Sequence, residues 1–135
     1  MSTTARRTPN ERSPRADGYS NSVTVTYVDA GAVRRDLRQA VDGLARAHPE
    51  IERVMLFGSF ATGQAVPGSD LDLLIILSRA DRPFLERIPL YVPEGCGVGV
   101  DVFPYTRAEI DAMLAGGNWF IRRALAEGVE VYPSS

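Results

Sequence analysis

The sequence predicts one domain that combines helices with a small β-sheet, an α/β fold of the α+β kind with about three strands in its core. A length of 135 residues is that of a single domain. Apolar runs typical of buried strands alternate along the chain with segments of helical periodicity. The contents of 44% hydrophobic and 24% charged residues are those of a globular protein.

The first 22 residues are predicted to form a disordered tail, because they contain almost no large apolar side chains. The domain is therefore expected to occupy residues 23–135. Apolar and threonine residues alternate at its start, over 23–27, which predicts a short strand or an extended lead-in.

A helix is predicted over residues 30–47, where apolar residues recur at helical spacing and Asp29 supplies an N-cap. His48 precedes a proline, which disfavours the helical conformation and ends the helix. Since His48 is the only histidine and sits at a helix end, we expect a capping or surface role for it rather than a catalytic one.

The middle of the chain predicts two strands joined by a short turn. Glycine ends the first strand, and apolar residues on both faces make the second a central strand. A helix across Pro83–Leu85 is one interpretation of an ambiguous segment, and a loop or weak strand follows it. The predicted ranges are strand 51–57, short helix or turn 59–64, strand 70–77, the ambiguous segment 79–88 and the loop or weak strand 89–97.

The last part of the chain predicts two strands and two helices. A capping box at residues 106–109 opens the first helix, and Asn118 caps the second. The predicted ranges are strand 98–103, helix 107–115, helix 119–127 and strand 129–132. The large apolar residues of the second helix are expected to pack in the core rather than to form a contact surface: Trp119, Phe120, Ile121 and Leu125.

Composition excludes several classes of function. The net charge is −2, so no basic field marks a nucleic-acid-binding protein. All fifteen basic residues are arginines, which excludes a lysine-dependent phosphate loop or Schiff base. Cys96 is the only cysteine, so no internal disulfide can form. Neither a membrane span nor an apolar signal core is predicted, and we expect a cytoplasmic protein.

The most informative motif is Gly58-Ser59 followed by Asp70-Leu71-Asp72. A Gly-Ser turn between a strand and a short helix offers N–H groups and a hydroxyl to a phosphate. Aspartates spaced i, i+2 on a strand point to the same face, with Cα atoms roughly 7 Å apart. Such a pair suits Mg²⁺, which takes oxygen ligands and shares them with substrate phosphates. The motif therefore predicts nucleotidyl transfer.

Asp101 is the candidate third carboxylate of this site. It lies in an apolar strand, Val98–Phe103, where an uncompensated charge would be costly. From a neighbouring strand it could reach the same metal ions as Asp70 and Asp72 and accept a proton from an attacking hydroxyl. A carboxylate on an edge strand facing water is the alternative interpretation.

The segments Gly58–Ala65 and Ser69–Leu73 resemble the signature of the DNA polymerase beta-like nucleotidyltransferase superfamily, and the short chain is similar to its minimal members. Some of those are antitoxins paired with HEPN-domain toxins. The resemblance implies a small mixed sheet flanked by helices, ATP as the substrate, and two Mg²⁺ ions bound by Asp70, Asp72 and Asp101, with the last as a potential base. It also implies that Gly58, Ser59 and Ser69 bind the nucleotide.

The resemblance implies transfer of AMP from ATP to a hydroxyl, on a small helical partner protein of the HEPN-toxin type. Phe60 stands where many minimal members have Arg or Tyr, so an arginine that contacts the phosphates is missing at that position, and which arginine, if any, contacts the triphosphate is open. The candidates near strand ends are Arg53, Arg79, Arg82 and Arg107. Two alternatives remain open: a non-catalytic antitoxin that acts by binding, and transfer to a small molecule such as an aminoglycoside.

Overall fold

The structure of the protein, a computed structural model, describes residues 29–133. The predicted tail and the predicted lead-in strand at 23–27 lie outside the described residues. No helix within the described range is long and apolar enough to cross a membrane.

Helices and strands follow one another along the described chain as the hydrophobic periodicity predicts. The helices are α1 (Ala30–Ala47), α2 (Ser59–Thr62), α3 (Phe84–Arg87), α4 (Arg107–Ala115) and α5 (Trp119–Glu127), with a 3₁₀ turn at Ile88–Leu90. The strands are β1 (Ile51–Phe57), β2 (Leu71–Leu77), β3 (Val100–Thr106) and β4 (Val129–Tyr132).

The strands form a mixed sheet in the order β3-β2-β1-β4. Strand β1 runs antiparallel to both of its neighbours, β2 and β4. Strand β3 runs parallel to β2, and the long connection between them contains α3 and the 3₁₀ turn. The sheet has four strands, one more than the core predicted from sequence, because the C-terminal segment pairs with β1.

Helix α1 covers one face of the sheet. The side chain of Asp29 accepts a hydrogen bond from the Ala32 N–H, as predicted for an N-cap. One stripe of the helix, which includes Leu37 and Val41, is completely buried against the apolar residues of β1 and β2. The predicted helix bounds and cap are confirmed.

Helices α4 and α5 cover the opposite face. Ile110 of α4 and Ile121 of α5 pack with Leu74 and Ile76 of β2. Strand β2 is therefore buried on both faces, as the sequence predicts for a central strand. The capping box at Thr106 and the Asn118 cap are both present, so the two helices begin where they were predicted to begin.

Three predicted ranges differ from the structure. Strand β3 begins at Val100 rather than 98 and continues to Thr106 rather than 103, in register with the whole of β2. It can pass through Pro104 because it is an edge strand, where a missing N–H breaks no second ladder. The weak strand considered for 89–97 does not form, and Asp70 precedes β2 rather than starting it.

An ion pair between Arg87 and Glu109 links α3 to the start of α4. Arg87 is 6% exposed, and its guanidinium donates to both carboxylate oxygens of Glu109, at 2.7 and 3.0 Å. Hydrogen bonding by Arg87 lowers the pKa of Glu109 to about 2. Sequence alone predicts only the capping role of Glu109.

Candidate active site

Asp72 and Asp101 lie side by side on neighbouring strands. Asp72 of β2 pairs in register with Asp101 of β3, and across the other edge of β2 it pairs with Phe57 of β1. Residues paired across a sheet lie on the same face, here the face covered by α4 and α5. Asp70 immediately precedes β2, and Asp72 is the second residue of that strand. The strand pairing thus brings the predicted acids to one end of the sheet.

The three carboxylates interact electrostatically. Burial raises the pKa of half-buried Asp72, and the negative charges of Asp101 and Asp70 raise it further. A cation at this end of the sheet would relieve that repulsion, which makes the donor set suitable for a hard divalent ion.

No group of three histidine, cysteine or acidic side chains between residues 29 and 133 converges into a metal cage. Mg²⁺ is usually held by one or two carboxylates together with waters and substrate phosphates rather than by an all-protein cage. Asp72 and Asp101 would provide such a pair, with Asp70 beside them, so the residues present fit the ion that the sequence predicts.

Asp101 is exposed to solvent on the edge strand. The expectation that its charge is costly in an apolar strand is therefore wrong, because the side chain of Asp101 is exposed although its neighbours in the strand pack in the core. Its register with Asp72 is what places it at the site.

Two glycines make room for the carboxylates. Gly58 has φ 78° and ψ −156°, a conformation that almost only glycine adopts. A Cβ atom at Gly58 would collide with Oδ2 of Asp72, and one at Gly99 would collide with Oδ1 of Asp70. The glycine of the Gly-Ser turn is therefore in direct contact with the second aspartate of the motif.

Helix α2 begins directly after this glycine and is held in place from α1. The guanidinium of Arg34 donates to the carbonyl oxygens of Phe60 and Ala61, at 2.6 and 3.4 Å. Phe60 is 1% exposed and belongs to the core, which explains an apolar residue at that position. In the described part of the chain, the N–H groups of Ser59 and Phe60 have no backbone partner.

Ser69 stabilises its own loop. Its hydroxyl accepts the N–H of Val66 at 2.9 Å, and its N–H donates to the carbonyl of Val66 at 2.9 Å. Ser69 does not line the cavity that opens between the Gly-Ser turn and α5. Nucleotide binding by Ser69 stays a prediction.

A cavity of about 340 Å³ opens between the Gly-Ser turn and α5. Gly58 and Ser59 line one side of it, and Trp119, Phe120 and Arg123 line the other. Its volume is in the range of small-ligand pockets.

The three carboxylates do not line this cavity, which meets them through Gly58, the residue in contact with Asp72. None of the four arginines proposed from sequence lines it either. Arg53 pairs with Glu130, and Arg107 pairs with Glu52. The other two line a separate cavity, which also contains His48; they are Arg79 and Arg82. His48 packs against the Tyr91 ring and contacts Glu50, 3.3 Å away, and the cavity beside Ser59 does not include it.

Comparison with known proteins identifies the family. The model of the nucleotidyltransferase domain family matches residues 37–128, which contain the Gly-Ser turn and all three acids. The chain belongs to the nucleotidyltransferase domain family. Its general activity is nucleotidyl transfer, and the predicted superfamily is confirmed at this level.

A solved structure has the same fold as this nucleotidyltransferase. It is the crystal structure of a Sulfolobus solfataricus protein with a proposed nucleotidyltransferase function. The TM-score is 0.54 at 21% sequence identity, over 75% of this chain and 80% of the other. The likeness confirms the predicted α+β fold. No match was found among curated proteins.

Sequence reasoning missed three residues around the site: Arg34, Trp119 and Arg123. Arg34 lies off the apolar stripe of α1, and nothing in the sequence indicates which carbonyls it reaches. Trp119 was expected in the core, yet it is 67% exposed, whereas Ile121 is completely buried as predicted. The apolar spacing of α5 could have separated the two, since Ile121 and Ala124 form its buried stripe.

Proposed function

We propose that this nucleotidyltransferase transfers AMP from ATP to a hydroxyl group of a partner protein, with Mg²⁺ at the carboxylates. The observation that carries the proposal is the contact of Gly58 with Asp72, which is itself in register with Asp101. A phosphate-binding turn and a pair of metal-binding acids are thereby adjacent. This arrangement suits reaction at the α-phosphorus of a nucleoside triphosphate.

Asp72 and Asp101 would hold Mg²⁺, with Asp70 at their side. Bound there, the ion would supply charge stabilisation for the phosphates in the transition state. Ser59 and the N–H groups that open α2 bind the triphosphate.

In the reaction, the acceptor oxygen forms a bond to the α-phosphorus, and the bond from that phosphorus to the pyrophosphate oxygen breaks. Asp101 accepts the hydroxyl proton, for which its exposed position on the edge strand is suitable. Pyrophosphate leaves, and the acceptor carries AMP.

The acceptor is proposed to be a small helical protein of the HEPN-toxin type, as the resemblance of the motif implies. The described chain consists of the sheet and the helices packed on it, and all of its carboxylate site lies at one open end of that sheet. A protein hydroxyl presented from outside can reach such a site.

The test is AMP transfer to proteins that copurify with this chain from its native cells. With ATP and Mg²⁺ present, we expect an AMP adduct by mass spectrometry and release of pyrophosphate. Asp72→Asn should abolish both. Asp111→Asn, at an exposed acid on α4, is the matched control and should leave them unchanged. Adduct formation that persists in Asp72→Asn would contradict the proposed chemistry.

The binding-only alternative gives a different result in the same experiment. A non-catalytic antitoxin would neutralise its partner equally well as the wild type and as the Asp72→Asn variant, and no adduct would form with either protein. Comparing ATP with GTP, CTP and UTP in the wild-type reaction identifies the donor.

A further inference from the structure

The α5 side of the cavity is aromatic and exposed. Trp119 is 67% exposed and Phe120 is 40% exposed, although both are large apolar residues in a small domain. Exposed aromatic surface beside a cavity is typical of a binding site. Neither residue takes part in the phosphate or metal chemistry described above.

We propose that Trp119 binds the base of the nucleotide substrate by stacking. This inference rests on the proposed function, because it adds a base-binding subsite to the same nucleotide site. The occupant is the flat heterocycle of a nucleoside triphosphate, not a lipid or a peptide.

One cavity lies between the proposed phosphate site and the proposed base site of the nucleotide. Gly58 and Ser59 line it together with Trp119, so phosphates against the Gly-Ser turn and a base against α5 occupy one continuous space. Aromatic side chains bind bases through their faces, and every base has such a face. An aromatic wall suits a base better than it suits a phosphate, which needs hydrogen-bond donors.

Of the two exposed aromatic rings, Trp119 is the one available for stacking. Phe120 packs against Phe57 and Phe103, with ring centroids 5.5 and 5.2 Å away, and it lines the cavity together with Phe57. Its ring is part of a packed cluster, whereas Trp119 extends beyond that cluster from the first position of α5.

The indole of Trp119 is supported from its own helix. The guanidinium carbon of Arg123 lies 5.1 Å from the indole centroid, and its Nε is 3.3 Å from a carboxylate oxygen of Glu127. An aromatic ring positioned in this way loses less conformational freedom when it binds a ligand. Arg123 therefore covers one face of the indole, and the base would stack on the other face.

Trp119 reports on this site directly, because it is the only tryptophan of the chain. In the presence of Mg²⁺, we expect ATP to quench its fluorescence. Inorganic tripolyphosphate should bind, as measured by calorimetry, without the same quenching, since it has no base. An emission maximum that shifts with protein concentration and not with ATP would indicate a contact between copies and would overturn the inference.

Affinity provides the second measurement. Trp119→Ala should weaken ATP binding about 5- to 150-fold, the range for loss of one stacked base, and leave tripolyphosphate affinity unchanged. Leu85→Ala is the matched control, because Leu85 is 76% exposed on α3 and does not line the cavity. Equal ATP affinity of Trp119→Ala and wild type would overturn the base subsite alone. Failure of both ATP and tripolyphosphate to bind wild type would overturn the proposed function as well.

Discussion

Replacing Gly58 by alanine should damage both the fold and the site. The backbone at Gly58, with φ 78° and ψ −156°, costs a residue with a side chain about 1–3 kcal/mol. The new methyl group would also collide with the carboxylate of Asp72, and forcing that side chain from its rotamer costs a further 0.5–1.5 kcal/mol or so. We therefore expect a loss of about 1.5–4.5 kcal/mol in the free energy of unfolding.

Urea denaturation of Gly58→Ala, followed by circular dichroism, measures this loss. At a slope of about 2 kcal/mol per molar, the midpoint should fall by roughly 1–2 M. Gly63→Ala is the matched control, because Gly63 has φ 80° but nothing within 4 Å of a Cβ atom. It should lose only the backbone cost of about 1–2 kcal/mol and should keep its activity.

A double-mutant cycle separates strain from collision. In an Asp72→Ala background the carboxylate is absent, so Gly58→Ala should cost less than it does in wild type, by roughly 0.5–1.5 kcal/mol. Additive effects of the two substitutions would refute the contact between Gly58 and Asp72.

Three further predictions concern other side chains of the domain. Asp72→Asn should abolish transfer and raise the melting temperature, because it removes the charge of a half-buried carboxyl whose pKa is raised by burial and by its acidic neighbours. An unchanged or lower melting temperature would argue against repulsion among the three carboxylates. Glu109→Gln should destabilise the fold by about 1–3 kcal/mol at pH 7, less than its pKa shift alone indicates because Glu109 is 42% exposed. The wild-type contribution of Glu109 is complete above pH 4.5 and should disappear as the pH falls to about 2, so the two proteins should converge in acid denaturation. Arg34→Met should lower the free energy of unfolding by about 1–3 kcal/mol and raise the KM for ATP, since two carbonyls of α2 lose their donor. An unchanged KM would show that α2 is held in place without the Arg34 hydrogen bonds.

Much of the fold is predictable from local signals. The helix at Ala30–Ala47 carries its cap and apolar stripe in the sequence, and apolar residues on both faces of β2 indicate its central position. The predicted range 98–103 ends strand β3 three residues too early, directly before Pro104. Only its edge position, a property of the whole sheet, permits the proline.

The three acids and the neighbouring strands that carry Asp72 and Asp101 could be predicted, but the strand register could not. Strand β2 begins one residue after Asp70, and the pairing of β3 with β2 is what sets Asp101 beside Asp72. The cavity wall at Trp119 and the hydrogen bonds of Arg34 depend on contacts between segments distant in sequence. Such contacts leave no periodic signal in a single sequence.

The two proposed metal ligands, Asp72 and Asp101, lie on strands that differ in their number of hydrogen-bonded neighbours. Strand β2 has hydrogen-bonded neighbours on both sides, whereas β3 is bonded on one side only. Fraying of β3 would therefore separate Asp101 from Asp72 while the remaining sheet stays intact. On heating, catalysis should fail before the protein melts, and nucleotide with its ion, by bridging the two strands, should slow amide hydrogen exchange most in β3.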